Sequence, residues 1–290
     1  MGQGRVKAKG FVRKESRRSM AQEARKKRRR EERKKGIKIE RIPKTIDNKR
    51  VFDETKVENE EDIEMIREEQ LDEFSSVISG RISPKVMITT TMTGGAYAGK
   101  LGRELAYVIP NGVFKRRRGY SMSSILKTLK KKHYTMLILV EQGVQRKRPD
   151  GLWMINLPHG PTAHFRIGTV RYRREIPDVG RKSDHYPDLN LYGFKTRLGR
   201  RISRMFQSLF PPKPEYYGRQ IITFHNQRDW IFFRQHRFIF DDPKTPRVQE
   251  LGPRFSLYLL SLQDGTMQRT SPYEYIPKAG TRSEKLRFIL

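Results

Sequence analysis

The sequence predicts an α/β protein of two duplicated halves, preceded by a disordered or extended basic arm. Three observations predict it. Between Lys85 and Val140, β-branched runs and helical stretches follow the order strand, helix, helix, strand, the order of an α/β layer architecture. A later helical stretch, Thr196 to Phe210, repeats the first: Leu101, Gly102, Arg103, Leu105, Val108 and Ile109 match Leu198, Gly199, Arg200, Ile202, Met205 and Phe206 in order and spacing. Helical periodicity supplies the apolar matches by itself, so the shared Leu-Gly-Arg start carries the inference. Finally, Gly218 to Phe240 (GRQIITFHNQRDWIFFRQHRFIF) has the composition of a hairpin, two aromatic and β-branched arms around the polar tetrad Asn226 to Asp229.

Charge narrows the choice of partner before any motif does. The 290 residues carry 62 Lys plus Arg against 32 Asp plus Glu, a formal net charge of +30. Solubility needs no such excess, whereas a partner of dense negative charge does, and nucleic acid is the commonest. Membrane surface is the rival. No run of about 18 apolar residues is present to span a bilayer, and no apolar stretch follows the charged start as a secretory signal requires, so a soluble intracellular protein is expected. Cysteine is absent and the six His are scattered without ligand spacing, which leaves no disulfide or thiolate zinc site and no expected metal or cofactor.

Residues 1–46 read as the basic arm. Met1 to Arg41 holds 18 Lys plus Arg against 5 Asp plus Glu, too polar to offset its ordering entropy alone. Arg25 to Lys35 (RKKRRREERKK) has the make-up of a nuclear import signal or an RNA-binding arm. Residues 47–80 reverse the charge: Asp47 to Phe74 holds 12 acidic and 4 basic residues. This segment reads first as a linker that docks a protein partner, with a screen for the basic arm as a further reading.

The folded part spans 81–263, with halves about 81–175 and 185–263, and 264–290 reads as a polar, basic tail. In the first half, KVMITTT is a strand, Leu101, Leu105, Val108 and Ile109 line one helix face, and Pro110-Asn111-Gly112 stops that helix. Ser121 or Ser123 caps a second helix bearing Ile125, Leu126 and Leu129. MLILV (136–140) is a buried strand, and Leu152 to Tyr172 gives two strands around Pro-His-Gly-Pro. In the second half, Leu189 to Phe194 is a strand and Leu198, Ile202, Met205, Phe206 and Leu209 form the apolar face of the Thr196 helix. The hairpin and a strand at Phe255 to Gln263 follow. In the hairpin's second arm Trp230 and Phe232 point one way and Ile231 and Phe233 the other, which predicts burial on both sides, with Phe232 and Phe233 both structural.

Several groups of residues are candidates for RNA contact. Arg197, Arg200, Arg201 and Arg204 form a cationic stripe on the Thr196 helix. Lys115, Arg116, Arg117 and Arg118 form a basic cluster. Around the hairpin lie Arg219, Gln220, His225, Asn226, Gln227, Arg228, Arg234, His236 and Arg237, cations and amides suited to phosphates and base edges. The enzyme alternative is a P-loop-like NTPase or RNA-processing enzyme using Gly94 to Lys100 (GGAYAGK), which follows a strand and satisfies G-x-x-x-x-G-K. A phosphate loop also wants Ser or Thr next to hold magnesium, and Leu101 stands there. His225 and Asp229 sit close together in the hairpin, but turn chemistry accounts for Asn226 to Asp229 better than base catalysis does. His159 and His164 lack further ligands at metal spacing.

At the hairpin, LPHGPTAHFRI and TRLGRRISRMFQSLFP, the chain resembles the Brix-domain family, and IPKTIDNKRVFDET, SPKVMITTT and QELGPRFSLYLLSLQDGT extend the likeness from about Ile39 onward. The resemblance implies two α/β halves similar to anticodon-binding domains of certain aminoacyl-tRNA synthetases. It further implies a nucleolar, non-catalytic assembly factor for pre-ribosomal RNA of the large (60S) subunit, with a small zinc-binding assembly factor among its partners. The family's sigma-factor-like RNA-binding segment falls on Gly218 to Phe240. Departures are Trp230 in place of an expected Tyr, a longer basic insertion near Val144 to Arg148, and the Gly-rich turn after Thr91.

Overall fold

The computed structural model describes residues 63–143, 147–242, 245–268, 270–277 and 288–290, with Gln145 and scattered positions before residue 58. The chain divides into two compact units, 1–49 and 50–290. The described residues of the first include Met20, Gln22 to Ala24, Lys26 and Lys27, all helical and exposed, and a short 3-10 turn, Asp47–Lys49, where the Asn48 side-chain amide donates to the Pro43 carbonyl at 2.8 Å. Those helical positions lie in the expected basic arm, most of whose other residues, Arg28 to Lys35 among them, lie outside the described residues.

The second unit is built on one mixed sheet. Its strands are β1 (Val86–Thr90), β2 (Gly112–Phe114), β3 (Met136–Glu141), β4 (Gly151–Asn156), β5 (Thr162–Arg171), β6 (Asp188–Tyr192), β7 (Gln220–Gln227), β8 (Trp230–Asp242), β9 (Thr245–Glu250), β10 (Arg254–Gln263) and β11 (Tyr273–Tyr275). The helices are α1 (Ile63–Leu71), α2 (Ser75–Ile78), α3 (Ala96–Val108), α4 (Met122–Lys131) and α5 (Arg197–Gln207). Strand order is β2-β1-β3-β4-β5-β10-β8-β7-β6, with β9 beside β8 and β11 beside β10.

The duplication inferred from Leu-Gly-Arg is present in the connectivity. In the first half β1 pairs β3 in parallel, and β3–β4 and β4–β5 are antiparallel. In the second half β6 pairs β7 in parallel, and β7–β8 and β8–β10 are antiparallel. A helix follows the first strand of each set, α3 after β1 and α5 after β6, and the halves join through the antiparallel pair β5–β10. The repeated glycines share a physical reason: a Cβ on Gly102 would lie 2.6 Å from the Phe114 ring, and one on Gly199 2.7 Å from the Leu290 backbone. Both helices need a position without a side chain where a neighbour presses on them, at the second turn of α3 and the first turn of α5.

One face of the sheet carries the main core. Helices α3 and α5 bury Leu101, Leu105, Val108, Ile202, Met205 and Phe206 against Ile88, Ile138, Phe165, Phe224, Phe233 and Leu257. Phe206 stacks on Phe224 at 4.3 Å, and Phe233 stacks on Phe255 at 4.4 Å. On the opposite face a smaller cluster joins Leu129 of α4 to Met87, Leu137, Leu139 and Ile155, all from the first half. Ser121 caps α4, its hydroxyl accepting from the Ser124 N–H at 3.3 Å, as one of the two expected caps.

Three expectations need correction. The acidic segment is not a linker from Ile63 onward: it forms α1 and α2, and Met65, Phe74 and Val77 are buried. The hairpin is not buried on both sides; Ile231 and Phe233 lie in the core while Trp230 and Phe232 are half-exposed. The segment after Asp264 is not simply a polar tail, because β11 pairs with β10 and Phe288 and Leu290 are buried. Strands β2, β9 and β11 were not anticipated.

Candidate nucleic-acid interface

Strands β7 and β8 are joined by two residues, Arg228 and Asp229, at φ of 56° and 64°. Positive φ at both positions is what a two-residue hairpin turn requires. The expected tetrad thus shrinks to a pair, and Asn226 and Gln227 belong to β7. Asp229 does more than turn the chain. Its Oδ1 accepts the N–H groups of Ile289 and Leu290 at 2.8 and 3.0 Å. The Thr196 hydroxyl donates to the Ile289 carbonyl at 2.6 Å and accepts the Gly199 N–H at 2.9 Å. The turn, the start of α5 and residues 288–290 therefore form one bonded knot, and the Asp229 carboxylate is committed to structure.

The register places side chains of the second half, with Arg166 of the adjoining β5, in rows across the face opposite α5. Tyr192, His225, Phe232 and Ser256 form one row, and Gln227, Trp230, Tyr258 and Arg166 form another. Asn190, Thr223 and Arg234 make a third; Ile221 and His236 follow. Tyr192 meets His225 edge-on at 5.2 Å, and Trp230 tilts against Tyr258 at 5.4 Å. The buried residues of the apolar cluster under α4 all belong to the first half, and among the described residues no helix covers these rows. An open sheet face carrying rings and guanidiniums suits splayed bases, with phosphates on the cations.

Electrostatics refines which groups carry charge there. Burial lowers the pKa of Arg234, with Glu250 opposing and Arg254 adding to the shift; a guanidinium stays protonated regardless. Burial also lowers the pKa of His236, so its ring is neutral at pH 7 and acts as a stacking or hydrogen-bonding group. Burial and then the Asp229 charge raise that of the Tyr258 hydroxyl.

The sequence-predicted residues separate into distinct places. His225, Gln227, Arg234 and His236 share the open face. Strand alternation turns Arg237 toward the other face, and Arg219 is exposed in a turn at φ 49°. Arg228 is exposed in the hairpin turn. Gln220 and Asn226 are buried and structural, which corrects their assignment: the Gln220 amide donates to the Ser183 hydroxyl at 2.7 Å, and that of Asn226 donates to the Gly193 carbonyl at 3.0 Å. Sequence reasoning missed Tyr192, Tyr258 and Arg166 on the open face, and the exposed Tyr216 and Tyr217 beside Arg219. Alternation along the strands held the signal for Tyr192, since Leu191 faces the core.

Three of the four arginines of the α5 stripe are already paired. Arg200 pairs with Glu69 at 2.7 Å, Arg201 with Glu73 at 2.8 Å and Glu274 at 2.7 Å, and Arg204 with Asp72 and Glu69. Desolvation lowers the pKa of Arg201, but its two carboxylate partners outweigh that and raise it overall. Only Arg197 of the four is exposed. Arg200, Arg201 and Arg204 hold α1 and the connection to α2 on α5, which corrects the assignment of these three as phosphate contacts.

The Gly94 to Lys100 loop is likewise occupied. The Gln142 side chain accepts the Ala98 N–H at 2.9 Å where a phosphate oxygen would sit at a helix start. Lys100 reaches away to the Tyr172 ring, 3.9 Å from its centroid, and to Glu175 at 3.9 Å. Burial and then the Glu104 charge push the Tyr172 hydroxyl up to about 12. Among the described residues no cluster of three His, Asp or Glu could hold a metal. Lys115, Arg116 and Arg118 are exposed, and Arg117 donates to the Tyr120 carbonyl at 2.9 Å.

His164 gives a pH test of the sheet. It stacks on Trp153 at 3.7 Å and approaches Glu141 at 3.5 Å. Burial lowers its pKa below the ordinary 6.5 despite the Glu141 charge. The folded state thus favours the neutral ring. Its contribution is complete above pH 6.5 and is lost as pH falls below 6.5 toward the depressed value, because the unfolded chain takes up the proton first. Thermal midpoints measured on acidification should fall less for His164→Phe, which keeps the stack, than for the wild type; equal losses would contradict this.

The family model for the Brix domain matches residues 95–261. Ribosome production factor 1 of Pongo abelii is 46% identical over 239 residues, 82% of this chain and 68% of that protein. Ribosome production factor 1 of Saccharomyces cerevisiae is 38% identical over 255 residues, 87% of this chain and 82% of that one. A solved structure, a probable ribosomal biogenesis protein from Aeropyrum pernix K1, is 14% identical with a TM-score of 0.44, covering 61% of this chain and 96% of that chain. The chain belongs to the Brix-domain family.

Proposed function

We propose that this protein is a non-catalytic ribosome biogenesis factor that binds pre-ribosomal RNA of the large (60S) subunit in the nucleolus. The observation that carries the reading is the open face of the second half, where Tyr192, Phe232, Trp230 and Tyr258 stand among Arg166 and Arg234. Rings there stack on unpaired bases and guanidiniums take the phosphates between them. Arg219 at the far end of the hairpin, and Lys115 to Arg118 in the first half, extend the basic path. The formal charge of +30 supplies long-range attraction. The names of the relatives support the biogenesis setting. The occupied glycine loop favours binding over nucleotide hydrolysis. In this reading the segment before residue 47 adds nonspecific RNA affinity, and pre-60S proteins, including a small zinc-binding assembly factor, are the protein partners.

Salt tests the reading. If about five phosphates of a single strand are neutralised, affinity should fall about 100-fold when salt rises from about 50 to about 200 mM. The double variant Arg166→Ala/Arg234→Ala should flatten that slope by about one to two contacts. Affinity for a single-stranded pre-rRNA segment that stays constant over this range would refute it.

A further inference from the structure

A cavity of about 340 Å³ lies on the sheet face that α4 covers, away from the open rows of the second half. Its apolar floor is Met87 and Leu129, with Ile125 beside them. Tyr120 and Tyr134 stand at its walls, and Lys115, Arg117 and Lys132 line it as cations. Thr89 also lines it. That residue is 4% exposed, and its hydroxyl has no hydrogen-bond partner. A buried hydroxyl left unpaired costs free energy unless something supplies a partner. The Arg117 bond to the Tyr120 carbonyl at 2.9 Å pins the ring-bearing loop at the mouth. A second cavity, of about 520 Å³, adjoins the same loop and shares Arg116 and Arg117.

We infer that the cavity under α4 takes one nucleotide, its base between Tyr120 and Tyr134 with an edge on the Thr89 hydroxyl and its phosphates on Lys115 to Arg117. The chemistry fits in each part. An apolar floor with aromatic walls accepts a flat heterocycle, the buried, unpartnered Thr89 hydroxyl orients its edge, and the cations match the phosphodiester on either side. The volume is at the small end of ligand cavities, the size for one extruded nucleotide and not for a duplex. The same chemistry belongs to a nucleotide within RNA and to a free mononucleotide. The RNA-borne case rests on the function proposed above.

Photocrosslinking separates the possibilities, using 4-thiouridine and 6-thioguanosine both within single-stranded RNA and as free monophosphates. The expected result is adducts on Tyr120 or Tyr134 from RNA, in addition to adducts on the open face. Ser124→Trp, at an exposed helix position on the cavity wall, should abolish the cavity adducts and leave those on the open face. Thr89→Val should reduce cavity adducts several-fold without lowering the thermal midpoint. Open-face adducts without cavity adducts from either probe would overturn the inference and leave the RNA-binding function standing. Cavity adducts from monophosphates alone, with none from RNA anywhere, would uphold the cavity and refute that function. Cavity adducts that persist in Ser124→Trp would also overturn the inference.

Discussion

Phe233→Ala is expected to destabilise the folded chain by about 3–5 kcal/mol, whereas Phe232→Ala should cost under about 1.5 kcal/mol. The two residues are chain neighbours of identical chemistry, so the contrast isolates which face of β8 is core. Phe233 is 2% exposed. It stacks on Phe255 at 4.4 Å and meets Phe224 edge-on at 5.1 Å, in the ring series that runs through Phe206 to Phe165. Truncating it opens a cavity that rings locked on every side cannot collapse to fill. Phe232 sits on the open face between His225 and Ser256 and already meets water. Thermal unfolding should place the Phe233 variant about 10 °C below the wild type and the Phe232 variant near it; equal shifts would mean that both faces are buried.

Asp72→Ala should cost about 2–4 kcal/mol, a large effect for an acidic residue in a segment that reads as a linker. The Asp72 side chain is 11% exposed and that of Arg204 is 14%. Asp72 holds Arg204 through two oxygens, one of them at 2.8 Å. It also accepts the Phe74 N–H at 3.1 Å, just where Phe74 enters the core. Removing the carboxylate leaves a largely buried guanidinium without its main partner and loosens the entry of Phe74. The remaining Glu69 contacts and partial solvent access keep the cost below that of a fully buried pair. Denaturant unfolding that gave less than about 0.5 kcal/mol would show the pair to be an ordinary surface contact.

The fold was legible in the sequence where local pattern and global packing agree. The Leu-Gly-Arg repeat gave the duplication because both glycines serve the same steric need, and alternation in β8 gave two faces correctly. Alternation could not say what lies on each face. Trp230 and Phe232 are as apolar as Ile231 and Phe233, and only the lack of a covering helix among the described residues leaves them half-open. The α5 stripe misled for a related reason: its arginines look solvated along the helix, and their acid partners stand 131 and 128 residues away at Glu69 and Glu73. Gln220 and Asn226 looked like polar strand ends, while their amides satisfy buried carbonyls and hydroxyls. Asp229 looked like turn chemistry alone because residues 289 and 290 are about sixty positions distant. Strands β2 and β11 are three residues each, too short for periodicity to register; β9 contains Pro246, which reads as a strand breaker.

The most direct test of the central claim is the equilibrium affinity of Tyr192→Ala/Phe232→Ala for a single-stranded pre-rRNA segment at fixed salt. Both rings lie in one row of the open face, and Tyr192 is 61% exposed, so the fold should survive their loss. At about 1–3 kcal/mol per stacked base, affinity should fall about 100-fold with the salt slope unchanged. Wild-type affinity in this double variant, with its thermal midpoint intact, would contradict the account and move RNA binding off the sheet.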